Sequence, residues 1–231
     1  INPAHGLLRG LMVMNYERQD VRDYMKSLIR EAIEDYDYEG VELDWWRIPA
    51  CCEPPATDAA VETMTQWIGE LRAITRRKAA ALGRPVPLGL RVPCRLDHLR
   101  TIGLDLRQMA ARGLIDFVAV SNMWQTSWDV RYDRLREELG PEVALLGVIE
   151  DAPNWLFVAT DGGRPGYRLL STSEALLRGN AAGKWAMGVD GLEFFNFFCS
   201  DAKGYHPAAG SRAARYPAIR SLAGLDVLRG A

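Results

Sequence analysis

The chain has 231 residues, 28 basic against 30 acidic, 48% hydrophobic and 25% charged, with a formal charge of -2. A single domain of this length buries roughly 70% of its unfolded surface, so it needs no disulfide or metal to fold. Its balanced charge argues against a nucleic acid as the main partner, which would demand a basic face, and no apolar run approaches the ~20 residues needed to cross a bilayer as a helix.

Residues 7–14 are a candidate strand, and Val21, Tyr24, Met25, Leu28, Ile29, Ala32, Ile33 and Tyr36 then recur at the spacing of one buried helix face. They predict a helix over 21–36, broken at Gly40 before a strand over 41–46. A helix follows over 58–82, with Val61, Met64, Trp67, Ile68, Leu71 and Ile74 as its apolar stripe, and a proline-bounded strand over 87–93. Asp105 is placed to cap a short helix running to Arg112, which Gly113 ends, and 115–121 reads as the next strand. A helix over 129–139 stops at Gly140-Pro141, and 143–150 is again strand. Ser171 and Glu174 have capping-box spacing and open a helix through Met187, ahead of a last strand over 189–198.

Strands that are nearly continuously apolar and separated by helices form a parallel sheet covered on its faces. No glycine-rich phosphate loop follows any strand, so a dinucleotide-binding sheet is not expected. Polar residues instead stand at strand ends, where a TIM barrel assembles its active site. The fold class read from this pattern is α/β, a (β/α)8 barrel. Five or six strands cannot close one, so the whole chain is read as one partial barrel domain lacking its first two or three βα units, in keeping with a first residue, Ile1, that is not methionine.

The cysteines Cys51, Cys52, Cys94 and Cys199 form no C-x-x-C pair and the histidines His5, His98 and His206 stand alone, so neither a metal site nor any other cofactor is expected. Chemistry is sought in carboxylates. Alternation along the first strong strand puts Glu42, Asp44 and Trp46 on one face and Leu43 and Trp45 on the other. If Leu43 and Trp45 pack under the helices, both carboxylates point into the barrel, where each needs a partner or a task. Glu42 reads either as a structural acid paired with an inward Arg91 or as a substrate contact. Asp44, at the strand end, reads as functional, as does Glu150 at the end of a later apolar strand, with loop anchoring as its alternative. Two carboxylates from different strand ends are what glycoside hydrolysis requires, one ionised and one protonated.

Around them lie residues suited to sugars: Trp46, Arg47, Arg91, Asn122, Trp124 and Asp129, with Glu193 and Asn196 as polar intrusions into an aromatic strand. Trp128 and Trp155 are further aromatic candidates. Asp129 has the alternative task of capping the next helix.

The runs 40–47, 103–107 with 113–116, and 188–198, preceded by Asn15-Tyr16-Glu17 and residues 20–24, resemble the family 10 glycosylhydrolase-like group of (β/α)8-barrel proteins and its bacterial relatives. The resemblance spans roughly residues 12 to 200. It implies a barrel fold, carbohydrate as substrate, and an acidic residue after the fourth strand, here Asp44, with Glu150 where the seventh strand would end. Chitinase-like barrels carry a glutamate acid two residues beyond the last aspartate of this strand. Trp46 occupies that position here, so the substrate-assisted chitinase mechanism is not expected. The expectation is therefore a glycosidase with Glu150 as the acid and Asp44 as nucleophile or base; the alternative is a barrel that binds carbohydrate without cleaving it. Oligomeric state is not legible.

Overall fold

Helices and strands alternate as the apolar spacing dictates. A computed structural model describes residues 13–46, 49–122, 126, 128–150, 155–159, 165–169, 173–195 and 216–230. In chain order the elements are α1 (Gln19–Asp35), β1 (Val41–Asp44), α2 (Asp58–Leu82), β2 (Leu88–Pro93), α3 (Leu96–Thr101), α4 (Leu106–Ala111), β3 (Phe117–Ser121) and α5 (Tyr132–Leu139). There follow β4 (Ala144–Glu150), β5 (Trp155–Ala159), β6 (Pro165–Leu169), α6 (Glu174–Ala186), β7 (Gly191–Phe195), α7 (Tyr216–Arg220) and α8 (Leu225–Gly230). Five strands form one sheet in the order β1-β2-β3-β4-β7, and β5 pairs with β6 in an antiparallel hairpin. This is the incomplete (β/α)8 barrel. The chain falls into two compact units, 1–118 with 139–143, and 119–138 with 144–231.

In the first unit α2 runs over the predicted bounds. Thr57 caps it by accepting the Ala60 N–H at 3.1 Å, and Gly83 ends it in the left-handed region at φ 66°. Its whole predicted stripe is buried, and Trp67 meets Tyr16 and Trp45 edge-on at 5.2 and 6.2 Å. β2 is buried at every residue and pairs with β1 in parallel, Asp44 opposite Arg91 and Glu42 opposite Gly89. β1 is two residues shorter than expected. The Trp46 N–H turns back onto Asp44 Oδ1 at 2.8 Å, and that local bond ends the strand. The stripe of α1 is narrower than its spacing suggests: Ile33 is buried, whereas Tyr24, Leu28 and Tyr36 are exposed. Asp105 caps α4 as expected, accepting the Gln108 N–H at 3.0 Å. The sequence pattern missed α3, a single short helix with too few turns to show a period. Residues 13 and 14 are not strand, and 7–12 lie outside the described residues.

In the second unit α5 begins at Tyr132, so Asp129 is not its cap. Ser173, not Ser171, caps α6, its hydroxyl accepting the Leu176 N–H at 3.2 Å. β4 and β7 pair in parallel with Glu150 opposite Phe195 and Val148 opposite Glu193. Ile149, Leu177, Ala181 and Leu222 form a buried cluster against which Trp185 and Phe194 pack, and the Trp185 indole donates to the Leu222 carbonyl at 2.7 Å. The hairpin β5–β6 was not anticipated, and it places Trp155 in a strand. Among the described residues no helix is long and apolar enough to cross a membrane.

Candidate active site at the strand ends

In the first unit the centre of the site is an ion pair. Asp44 ends β1, and its register opposite Arg91 brings Nη1 of that side chain to 3.1 Å from Oδ1 and 3.2 Å from Oδ2. Arg91 is 2% exposed, so its charge has been carried into the sheet, at a cost that a close carboxylate offsets. Oδ1 also accepts the Trp46 N–H, while the Trp45 N–H donates to the Arg91 carbonyl at 2.9 Å. Asp44 is thus fixed on two sides by its neighbours.

The structure corrects the sequence reading here. Arg91 pairs with Asp44, which register sets opposite it, while Glu42 stands opposite Gly89. Both carboxylates are exposed rather than enclosed. Trp45 belongs to the core under α2, whereas Trp46 is half-buried at the strand end. The indole N–H groups of both tryptophans are buried without a hydrogen-bond partner among the described residues. Arg47 lies outside the described residues.

In the second unit Glu150 ends β4 and is 3% exposed. Its backbone is clamped by Thr126, whose hydroxyl accepts the Glu150 N–H at 3.0 Å and donates to the Glu150 carbonyl. Thr126 was not singled out in the sequence; its only sign is its place in the polar loop after β3. In that loop Asn122 donates to Asp129 Oδ1 at 3.3 Å, and Trp128 is exposed. Parallel register with Val148 opposite Glu193 puts Glu193 and Glu150 on the same face of two neighbouring strands, one pleat apart. Trp124 and Asn196 lie outside the described residues.

Among the described residues no group of three or more His, Cys, Asp or Glu side chains is placed to hold a metal ion. Cys51 and Cys52 are buried and unbridged, and burial raises both thiols, Cys51 the more strongly. What the strand ends offer is a paired carboxylate and a buried one, each with aromatic and hydrogen-bonding neighbours in its own unit.

Parallel strands alternating with helices, with polar residues at their carboxyl ends, define a protein of the (β/α)8-barrel class, and solved structures agree on that fold. The chain is similar to an N-acetylglucosaminidase of glycoside hydrolase family 18 from Paenibacillus barengoltzii, at TM-score 0.50 and 12% identity over 93% of this chain and 77% of that one. It is also similar to a chitinase-like agglutinin from Robinia pseudoacacia, at TM-score 0.53 and 13% identity over 78% of this chain and 69% of that one. At such identities the likeness establishes the fold. The first belongs to glycoside hydrolase family 18 and the second is chitinase-like, so neither supports the family 10 group that the sequence resembles. No family model matches the sequence, and no curated protein matches it.

Proposed function

We infer that the protein cleaves O-glycosidic bonds of an oligo- or polysaccharide, with Glu150 as proton donor and Asp44 as nucleophile or base. The observation that carries this reading is the ion pair at the end of β1. The pairing with a nearly inaccessible guanidinium holds the Asp44 oxygens in a fixed place at the strand end, as a nucleophile or base requires. Glu150, enclosed at the end of β4, has the setting of a general acid. Glu42, Trp46, Asn122, Asp129 and Glu193, with Arg47, Trp124 and Asn196, supply the ring-stacking and hydroxyl-binding groups, and Arg91 acts on substrate only through Asp44, which it positions. The agglutinin and the N-acetylglucosaminidase lend support through fold, and make N-acetylglucosamine oligomers the first probes.

A second reading, a barrel that binds sugar without cleaving it, draws on one specific observation. Both Asp44 oxygens are engaged by Arg91, one also by Trp46, and Trp46 stands where a chitinase-like barrel carries its glutamate acid.

Hydrolysis and binding of a glycan panel, N-acetylglucosamine oligomers included, separate the two. Under the first reading Asp44→Asn and Glu150→Gln each lower kcat/KM by on the order of a hundredfold or more while oligosaccharide binding persists. Binding by the wild type with no turnover of any glycan selects the second. Absence of both binding and turnover overturns both.

A further inference from the structure

We propose that Tyr36 and Tyr38 form an accessory carbohydrate platform at the amino end of β1, which takes the pyranose rings of a polysaccharide chain. The proposal rests on the carbohydrate reading above, but on a different part of the molecule.

Tyr36 is the C-cap of α1, and the chain leaves the helix there in extended form, at φ -116° and ψ 154°. Residues two apart in an extended chain project to the same side. The two rings accordingly stack, with centroids 5.7 Å apart and planes 21° from parallel. They are nevertheless 52% and 53% exposed, so stacking has not carried them into a core. Asp37, between them, is 81% exposed and bonds through Oδ1 to Arg84 Nη2 at 2.6 Å. The same nitrogen donates to the Tyr38 carbonyl at 3.2 Å. Arg84 follows Gly83, the end of α2, so a clamp anchored at a helix end holds the tyrosine turn.

A pre-ordered aromatic surface avoids much of the entropy cost of binding. Its chemistry selects the ligand. The stacked rings cover each other's facing sides, so a pyranose C–H face lies flat on an outer ring face, and the hydroxyls at the sugar's edge meet a carboxylate and a guanidinium at the rim. A proline-rich peptide would use the rings but leave that rim unmatched. Tyr38 is three residues before Val41, whereas Asp44 ends the same strand, so the platform and Asp44 lie toward opposite ends of β1. A polymer held at the platform would be retained near the protein between productive encounters.

The test is titration with N-acetylchitohexaose and cellohexaose, followed by NMR of the tyrosine ring signals and by calorimetry. Both rings are expected to shift in the wild type and in Asp44→Asn/Glu150→Gln. Tyr36→Ala/Tyr38→Ala should weaken the site about tenfold, while Tyr36→Phe/Tyr38→Phe, which keeps the rings, should not. Sugar binding left unchanged by the alanine pair overturns the platform and leaves the active-site reading standing. Binding of neither hexasaccharide by the wild type overturns the platform, and the glycan panel above then decides the carbohydrate reading. Tyrosine shifts with a proline-rich decapeptide but with neither sugar assign the surface to peptide and overturn the proposal.

Discussion

Asp116 in the first unit and Asp190 in the second make the same three kinds of bond, yet the strands they tie are packed in opposite ways. Each aspartate stands just ahead of a strand, and its N–H donates to the carbonyl of Leu88 or Leu145 at 2.8 Å. Each carboxylate accepts the N–H of that same residue, at 2.8 Å for Leu88 and 2.7 Å for Leu145. Each also pairs with a helix arginine: Arg72 binds Asp116 through two bonds of 2.5 Å, and Arg136 binds Asp190. A glycine on the tied strand then makes room for a large neighbour. At Gly89 the neighbour is the Phe117 ring, and at Gly147 it is the stem of Lys184. One latch thus serves an aromatic ring in one unit and a titratable lysine in the other, and only the second should respond to pH.

The largest expected effect tests that difference. Lys184 is enclosed, its Nζ 2.5 Å from Asn180 Oδ1 on its own helix and 5.8 Å from the centre of the Tyr132 ring on α5, while Gly147 of β4 faces its stem. Burial lowers its pKa from 10.5 to about 7. The folded state therefore favours neutral lysine. Its contribution is fully present above the unfolded pKa and is lost as pH falls toward 7. Between pH 10 and pH 7 the wild type should lose roughly 3 to 4 kcal/mol relative to Lys184→Met, read from urea unfolding of both at each pH. A gap between the two that does not change with pH would remove the contrast between the units.

The latches come next. Asp116→Ala strands a mostly buried Arg72 and the Leu88 N–H, at a cost of about 3 kcal/mol. Asp190→Ala should cost about half as much, because Asp190 is 50% exposed against 33% for Asp116 and water can replace more of what is lost. Urea midpoints measure both, and equal losses would show that exposure does not set the strength of the latch.

These latches also show where the sequence was legible. The runs 113–116 and 188–198, which hold Asp116 and Asp190, carry part of the resemblance to barrel glycosidases, and the visible bonds of the two aspartates tie strands together. The long stripe of α2 predicted its bounds and its buried face, because seven turns of repeated apolar spacing leave one solution. Arg91 was legible as an inward charge, but its pairing with Asp44 was not: that needs the register of β1 on β2, a property of pairing that neither strand carries alone. Lys184 was hidden for a related reason. On α6 it reads as an ordinary surface lysine, and only the glycine it crosses on β4, far away in sequence, makes room to bury it.

The last pair separates the two fillers by stiffness, and its Gly147 member is the smallest effect. A Cβ at Gly89 would stand 2.1 Å from Cε2 of Phe117 and within 2.4 Å of two further ring atoms. A planar ring cannot bend away, so ring and strand must move together, and Gly89→Ala should cost about 3 kcal/mol. A Cβ at Gly147 would meet Lys184 Cδ at 2.7 Å and Cβ and Cγ at 3.2 Å. That stem has rotatable bonds and can yield, so Gly147→Ala should cost about 1 kcal/mol, the lower end of overpacking. Yielding would also draw the ammonium from its place beside Asn180. Gly147→Ala should therefore change the pH dependence attributed to Lys184, whereas Gly89→Ala lowers stability by the same amount at every pH. Unfolding at pH 7 and pH 10 measures both, and a pH-dependent loss in Gly89→Ala would mean that the two fillers are not chemically separate.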